Sequence, residues 1–274
     1  MAEVGIHIEC LESESGISQW EFPIEPAFGI RAADDAHTFK LGVKEIARQH
    51  GYIASFMSLP YVEDDMNMNP SNLHINHSIW DAEGKVPLTY DPDKAHGLSN
   101  VAEHWLAGLL EHVRALTILS SPTINCMKMY ARGGYHMPHR ATWGIENKEA
   151  AVRVKVNGPK AAYFESRFGS SAGNPYTALA ATIAAGMDGI KRKLPLRPPT
   201  KERSGIPPGT AFIPTTMEEG LQALLDDKII TESLGHEFVD LFVASKYYEM
   251  KLEAEAKAKG VEKRWQHDMN FELI

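Results

Sequence analysis

The first half of the chain contains short segments in which apolar and polar residues alternate. Residues 4–9 and 19–24 have this period of two, and the polar stretch 13–16 separates them. Residues 52–57 and 73–80 are further short, mainly apolar runs bounded by turn residues. Alternation of this kind is typical of half-buried strands. The pattern therefore predicts four strands, of which the first two form a hairpin.

A second hairpin is predicted near the middle of the chain. Residues 150–156 place three valines on one side and polar residues on the other, and residues 161–168 alternate in the same way. Asn157-Gly158 lies between them, and Asn-Gly is the preferred sequence of a two-residue type I′ turn. We therefore expect two antiparallel strands joined by a tight turn.

Apolar residues recur every three or four positions in the segments that predict helices. These segments are 34–50, 100–119, 175–193 and 232–259. Thr216 and Glu219 form a capping box that begins one more helix. The apolar stripe of 232–259 is expected to pack in the core; its members are Phe238, Leu241, Phe242, Ser245, Tyr248 and Leu252. Strands in the middle and helices towards the C-terminus indicate an α+β fold.

Composition excludes several classes of protein. The chain has 274 residues, 43% of them hydrophobic and 23% charged, which are values of a globular protein and not of a disordered or collagen-like one. A net charge of −8 argues against non-specific nucleic-acid binding. No signal peptide or membrane-spanning apolar run is visible, so a cytoplasmic location is expected. Cys10 and Cys126 are expected to be reduced and buried.

Three carboxylates lie around the turn of the first predicted hairpin. They belong to Glu9, Glu14 and Glu21. Carboxylates on neighbouring strands repel one another unless a cation neutralises them, and oxygen ligands suit Mg²⁺ or Mn²⁺. The alternative is an acidic hairpin that is simply solvated.

The strand 73–80 carries a second candidate group. His74, Asn76 and Ser78 share one face because side chains alternate along a strand. His74 is a candidate metal ligand. The alternative is a histidine that is hydrogen-bonded for structural reasons only.

The second hairpin carries a third group. Glu165 and Arg167 share a face of their strand, and Arg153 faces them from the partner strand. This arrangement suits a charged site, and equally a structural ladder of ion pairs. The loop 132–140 contains two glycines, two histidines and two arginines, which suits either an active-site flap or an exposed surface loop.

Taken in order, these segments resemble the catalytic domain of class I glutamine synthetases. The similarity is strongest in the motifs 165–168 (ESRF), 172–176 (AGNPY) and 180–190 (AATIAAGMDGI), and continues in 19–21 (QWE) and 73–78 (LHINHS). The resemblance covers nearly the whole chain and, within the family, is greatest to the lengsin branch. It implies a curved antiparallel sheet backed by helices, with the site on the concave face of the sheet.

The resemblance also implies roles for the candidate residues. Glu14 and Glu21 would bind one Mg²⁺ or Mn²⁺ ion, His74 and Glu165 a second ion, and Glu9 would lie in the same metal region. Arg167 and Arg153 would stabilise substrate and phosphate charges during formation of γ-glutamyl phosphate from ATP. Asn76 and Ser78 would line the nucleotide site beside Arg153.

Several positions depart from the family's pattern. His136 stands where the flap has its glutamate, and four other sites differ: Pro70-Ser71-Asn72 for a glycine turn, Lys128-Met129 for lysine–arginine, Asn147-Lys148-Glu149 for Asn-Arg-Ser, and Tyr163 for arginine. Because residues that hold glutamate and ammonium are replaced, we expect a structural or chaperone-like protein without ligase activity. The alternatives are an active ATP-dependent ligase, in which His136 has a different catalytic role, and a protein that binds Mg·ATP without turnover.

The resemblance further implies how the chain is organised. Residues 1–274 correspond to one catalytic domain that begins inside the family's domain, without the preceding β-grasp domain. With the full-length chain, the family's assembly is a double-ring homo-oligomer, commonly a dodecamer. Cytoskeletal or intermediate-filament proteins are further expected partners.

Overall fold

The computed structural model describes residues 1–61, 69–134, 137–201 and 205–274. In these residues the strands are β1 (Glu12–Ser13), β2 (Trp20–Glu21), β3 (Leu73–His77), β4 (Trp143–Ile145), β5 (Val152–Val156) and β6 (Ala162–Gly169). The helices are α1 (Arg31–Gln49), α2 (Asn100–Glu111), α3 (Val113–Ser120), α4 (Ile124–Arg132), α5 (Pro175–Arg192), α6 (Met217–Asp226), α7 (Lys228–Leu234), α8 (His236–Ala258) and α9 (Glu262–Asn270). The main sheet is mostly antiparallel and packs against helices, which confirms the α+β prediction.

A four-stranded sheet carries the centre of the molecule. Its order is β3-β6-β5-β4, with β6 antiparallel to both neighbours and β4 parallel to β5. Glu165 on β6 is paired with Asn76 of β3 on one side and Arg153 of β5 on the other. Cross-strand partners share a face of the sheet. The register thus places polar residues of three strands on one surface.

The turn between β5 and β6 is longer than predicted. Val156 pairs with Ala162, so residues 157–161 form the connection. A two-residue turn would have placed Pro159 opposite Val156. Proline has no backbone N–H to donate to the ladder, so the strands pair further from the turn.

The first hairpin is present but shifted. Glu12 pairs with Glu21 and Ser13 with Trp20, and Ile8 forms an isolated bridge with Ile24. The predicted strand at 4–9 is therefore wrong except near Ile8. The predicted strand at 52–57 is also wrong: this segment has no ladder partner, and Phe56 N–H donates to the carbonyl of Ile274.

The core lies between the other face of the sheet and the helices. Phe164 and Phe168 of β6 are buried against α3 and its neighbours, opposite to the face that carries Glu165. Helices α2 and α5 approach so closely that a Cβ at Gly108 or Gly189 would overlap the backbone of the opposing helix. These glycines permit the contact because they have no side chain.

Two predicted helices are interrupted. The segment 100–119 divides into α2 and α3 at His112. The segment 232–259 is broken near its start at Gly235, which has φ 89°, so that its first residues belong to α7. Helices α4, α7 and α9 were not predicted. Helices α1 and α5 begin and end within a few residues of their predicted bounds, α6 begins at the predicted Thr216 cap, and Asn174 caps α5 as its proline start requires.

The predicted packing of the last long helix is wrong. Leu241 is 72% and Tyr248 61% exposed, whereas Val239 and Val243 are buried. Apolar residues occur on both sides of α8, so the period alone did not indicate which side packs inward.

The two cysteines have contrasting environments. Cys126 is buried beside Thr123 and Ser170, as expected. Cys10 is exposed, contrary to expectation, because it lies just before β1 at the edge of the first hairpin. Among the described helices, none has the length and apolarity required to span a bilayer.

Candidate functional site

Glu165 is the centre of a charged cluster on the polar face of the sheet. Arg153 Nη1 donates to its Oε2 atom at 3.0 Å, and Arg167 Nη1 donates to its Oε1 atom. His74 Nδ1 lies 3.6 Å from the same Oε1 atom. Because β3, β6 and β5 are adjacent, the fold brings these four predicted residues together.

Burial and charge determine the ionisation of this cluster. Burial alone would raise the pKa of Glu165, but His74, in its protonated form, together with Arg167 and Arg153 outweighs it and holds the pKa below its ordinary value. Burial, assisted by Arg167, lowers the pKa of His74 to about 4. At neutral pH His74 is therefore uncharged, and the two arginines neutralise Glu165.

Arg153 has a second acidic partner. Its guanidinium group also donates to Glu146, which follows β4. Arg153 is thus held between Glu146 and Glu165 across two strands of the sheet. This is the ladder of ion pairs that the sequence left as an alternative.

The β1–β2 ribbon forms an acidic surface near enough to the Glu165 cluster that Glu165 helps to raise the pKa of Glu21. Glu12 is directly opposite Glu21, and Glu14 lies two residues further along the same strand direction. Burial and the contact with Glu14 raise the pKa of Glu21 to about 7. Glu12 is a member that the sequence analysis missed, although its spacing of two from Glu14 was a usable signal.

Glu9 is further along this ribbon. Its backbone N–H donates to the carbonyl of Pro23, next to the Ile8–Ile24 bridge, and the residue is exposed. No third ligand is arranged around Glu14 and Glu21: the described residues contain no group of three or more His, Cys, Asp or Glu positioned for a metal ion.

The two predicted metal pairs differ in how well they suit a cation. Burial first, and then the neighbouring carboxylates of Glu14 and Glu12, raise the pKa of Glu21, so a divalent cation beside this pair would relieve an existing cost. Both oxygens of Glu165 are instead bonded to guanidinium groups. The first pair fits a cation and the second does not.

The remaining predicted residues are less central. Asn76 is exposed on β3 opposite Glu165, and Ser78 lies beyond the end of β3, where its hydroxyl accepts from Trp80 Nε1 at 2.9 Å. His136 lies outside the described residues. The roles of these residues in nucleotide binding and catalysis stay predictions.

Two of the positions that depart from the family pattern point away from the charged cluster. Met129 is completely buried in the hydrophobic core. Lys128 pairs with Glu253 of α8 at 2.8 Å.

A third departing position, Asn72, has a different environment. It donates to Met137 Sδ at 3.2 Å, while its buried Oδ1 atom has no hydrogen-bond partner among the described residues.

Sequence comparison relates the chain to proteins of one kind. The family model described as glutamine synthetase, catalytic domain, matches residues 1–265. Lengsin from Rattus norvegicus is 36% identical over 259 residues, which are 93% of this chain and 45% of that protein. Glutamine synthetase from Methanococcus voltae is 32% identical over 254 residues, or 90% of this chain and 55% of that protein.

Structure comparison agrees. The structure titled "Apo GmaS without ligand" has a TM-score of 0.81 and 28% identity, covering 94% of this chain and 58% of that one. A "novel glutamine synthase homolog" has a TM-score of 0.81 and 31% identity, covering 92% and 57%. The chain spans about half the length of the curated relatives it matches.

Proposed function

Because the chain belongs to the glutamine synthetase family, we propose that it is a glutamine-synthetase-like protein without glutamate–ammonia ligase activity. In this proposal it acts as a structural or chaperone-like homo-oligomer. The observation that carries the proposal is the burial of Met129, at the position where the resemblance places a substrate-binding arginine.

The cost of such a replacement is large. Loss of one preorganised group that stabilises transition-state charge reduces a rate by about 10²–10³, or roughly 3–4 kcal/mol. Here a buried thioether replaces a guanidinium group, and Tyr163 replaces a second arginine and lies under the Lys155 ammonium group. The effects together leave the acidic substrate with few charged partners.

The phosphate side of the site is better preserved. Arg167 is buried, and its Nε–H has no hydrogen-bond partner in the described structure, so it is available to an anionic oxygen. Glu14 and Glu21 would hold the Mg²⁺ or Mn²⁺ ion. Such an ion supplies neutralisation of phosphate charge when it is bound.

This preservation is what favours the alternative, an active ATP-dependent glutamate–ammonia or amine ligase. A third reading, Mg·ATP binding without turnover, needs only the arginines and the acidic ribbon. Calorimetry of ATP with Mg²⁺ separates the third reading from a protein without a nucleotide site, since an absence of heat excludes nucleotide binding.

The decisive experiment is a coupled assay of ATP-dependent phosphate release. The full-length protein is offered panels of amino acids and amines, with Glu165→Ala as the inactive reference. We expect no release above the reference for any pair. Turnover that disappears in Glu165→Ala contradicts the proposal and establishes the ligase alternative.

The assembly is proposed together with the function. We expect the full-length chain to form a double-ring dodecamer in the cytoplasm and residues 1–274 alone to assemble more weakly. Light scattering tests both, and a stable double ring of residues 1–274 would refute the second expectation. Co-sedimentation with intermediate filaments tests the proposed cytoskeletal partner, for which pelleting above a no-filament control is required.

A further inference from the structure

The strongest disagreement between the family pattern and this chain concerns Glu165. By resemblance this carboxylate would bind a divalent cation together with His74. In the structure its two oxygens accept from Arg153 and Arg167, and the residue is 5% exposed. Each oxygen thus already accepts one charge-assisted hydrogen bond from a guanidinium group.

A cation at this point would face a further obstacle. Arg167 is also 5% exposed, so its charge is poorly screened and depends on Glu165 for neutralisation. A metal ion bound to Glu165 would replace that neutralisation by repulsion. Arg153 has a second carboxylate in Glu146, but the acceptor that Arg167 has in the described structure is Glu165.

The placement of the strands explains why the pairing is fixed. Glu165 and Arg153 are register partners on β6 and β5, and Arg167 is two residues from Glu165 on the same face. The three side chains thus meet without a loop between them. Their geometry is set by the backbone of the sheet.

We propose that Glu165 is a positioning residue that holds the guanidinium groups of Arg153 and Arg167 towards an anionic ligand, and that it binds no divalent cation. The ligand class is a carboxylate or phosphate, which the unpartnered Nε–H of Arg167 would meet. This inference deepens the proposed function and rests on it for the identity of the site. A bound cation, where there is one, belongs to Glu14 and Glu21.

The first test counts cations with Mn²⁺ alone, by electron paramagnetic resonance of the free ion in solutions of the full-length protein. We expect wild type and Glu165→Gln to bind the same number of Mn²⁺ ions, with dissociation constants within twofold. Glu21→Gln is the matched control and is expected to weaken Mn²⁺ binding at least tenfold. Loss of one bound ion in Glu165→Gln overturns the proposal.

A second test needs no variant of Glu165 and so survives any folding defect. Spin-echo modulation from bound Mn²⁺ detects a directly coordinated imidazole nitrogen. We expect the spectrum of wild type to contain no contribution that depends on His74. A nitrogen signal that is abolished by His74→Gln places a cation between His74 and Glu165 and overturns the proposal.

A third test distinguishes positioning from ordinary packing. The anion is inorganic phosphate in the presence of EDTA, and its affinity is measured for wild type, Glu165→Gln and Glu165→Asp. We expect at least fivefold weaker binding in Glu165→Gln and partial rescue in Glu165→Asp, which retains the charge. Equal affinity in all three contradicts a positioning role. This readout is separate from turnover, so a failed ligase assay and a failed positioning test are distinguishable.

Discussion

The Nε2 atom of His112 lies 2.9 Å from Oδ2 of Asp188, in a buried contact between the α2–α3 break and α5. The other ring nitrogen, Nδ1, lies 2.7 Å from Oδ2 of Asp227, which caps α7. A neutral imidazole has one N–H, so two carboxylate acceptors require the protonated ring. One side chain thus joins three segments by charge-assisted hydrogen bonds.

His112→Leu is expected to destabilise the protein by about 3–5 kcal/mol, because it leaves the Asp227 carboxylate without its cation and leaves Asp188 with Arg192 alone. Urea unfolding measures the loss. The control is His7→Gln at an exposed position, for which a change within about 0.5 kcal/mol is expected. A loss of the same size in both variants would show that the triad has no special role.

The same contact predicts a pH dependence. Burial alone would lower the pKa of His112, but Asp227 and Asp188 outweigh it and raise the pKa above its ordinary value of about 6.5. The stabilisation is therefore complete below pH 6.5 and is lost as the pH rises through the raised value. Subtracting the free energy of unfolding of His112→Leu from that of wild type at each pH isolates the pH dependence that is due to His112. A difference that grows with pH in this range would contradict the assignment.

His77 is expected to act in the opposite direction. Its Nε2 atom accepts from Trp105 Nε1 at 3.0 Å, and burial lowers its pKa to about 4. The folded state therefore binds fewer protons than the unfolded state between pH 6.5 and 4, and stability falls as the pH falls through this range. His77→Gln should flatten the acid limb of the stability curve. An unchanged slope would show that other groups determine it.

The carboxylates of the β1–β2 ribbon are expected to lower the stability of the metal-free protein and to allow its stabilisation by a cation. Glu21→Gln removes one of two repelling carboxylates, so the metal-free variant should melt at a higher temperature than wild type in EDTA. The same variant should lose the stabilisation that wild type gains from added Mg²⁺. Differential scanning calorimetry with and without Mg²⁺ checks both. A variant that melts lower in EDTA would contradict the repulsion.

The contact between α2 and α5 predicts a severe effect of one methyl group. A Cβ at Gly189 would overlap the His104 carbonyl and lie 2.7 Å from Gly108 N, so the helices must separate. We expect Gly189→Ala to destabilise the protein by about 1–3 kcal/mol or more. Gly205→Ala is the matched control, since, among the described residues beyond its chain neighbours, no atom lies within 4 Å of its added Cβ. Equal denaturation midpoints for the two variants would rule out the close contact.

Local patterns predicted the elements that depend on local forces. The α5 start at Pro175 follows from its cap and its period, and the pairing of Arg153 with Glu165 follows from alternation on two strands. The role of His112 at the α2–α3 break could not be predicted, since its partners are two aspartates from distant segments. The exposed side of α8 could not be predicted either, since the segments that pack against this helix determine which side is buried.

The candidate site shows the same division. Alternation on two strands brought Glu165, Arg167 and Arg153 together, and the family resemblance added His74. Spacing could not show what Glu165 binds, since a carboxylate can pair with an arginine or coordinate a metal ion. The spacing of Glu12 from Glu14 was available in the sequence, but its pairing with Glu21 was not, because the exact pairing of two very short strands depends on the turn between them.

The two cysteines differ in exposure, so their labelling rates report on two different events. Cys10 is exposed and donates to Glu12 Oε1 at 3.4 Å, a contact that raises its pKa and slows its reaction with maleimide dyes. A cation on the ribbon should weaken that effect and accelerate labelling, whereas Cys126 reacts only when the core opens. One dye therefore follows occupancy at one thiol and unfolding at the other, without any engineered residue.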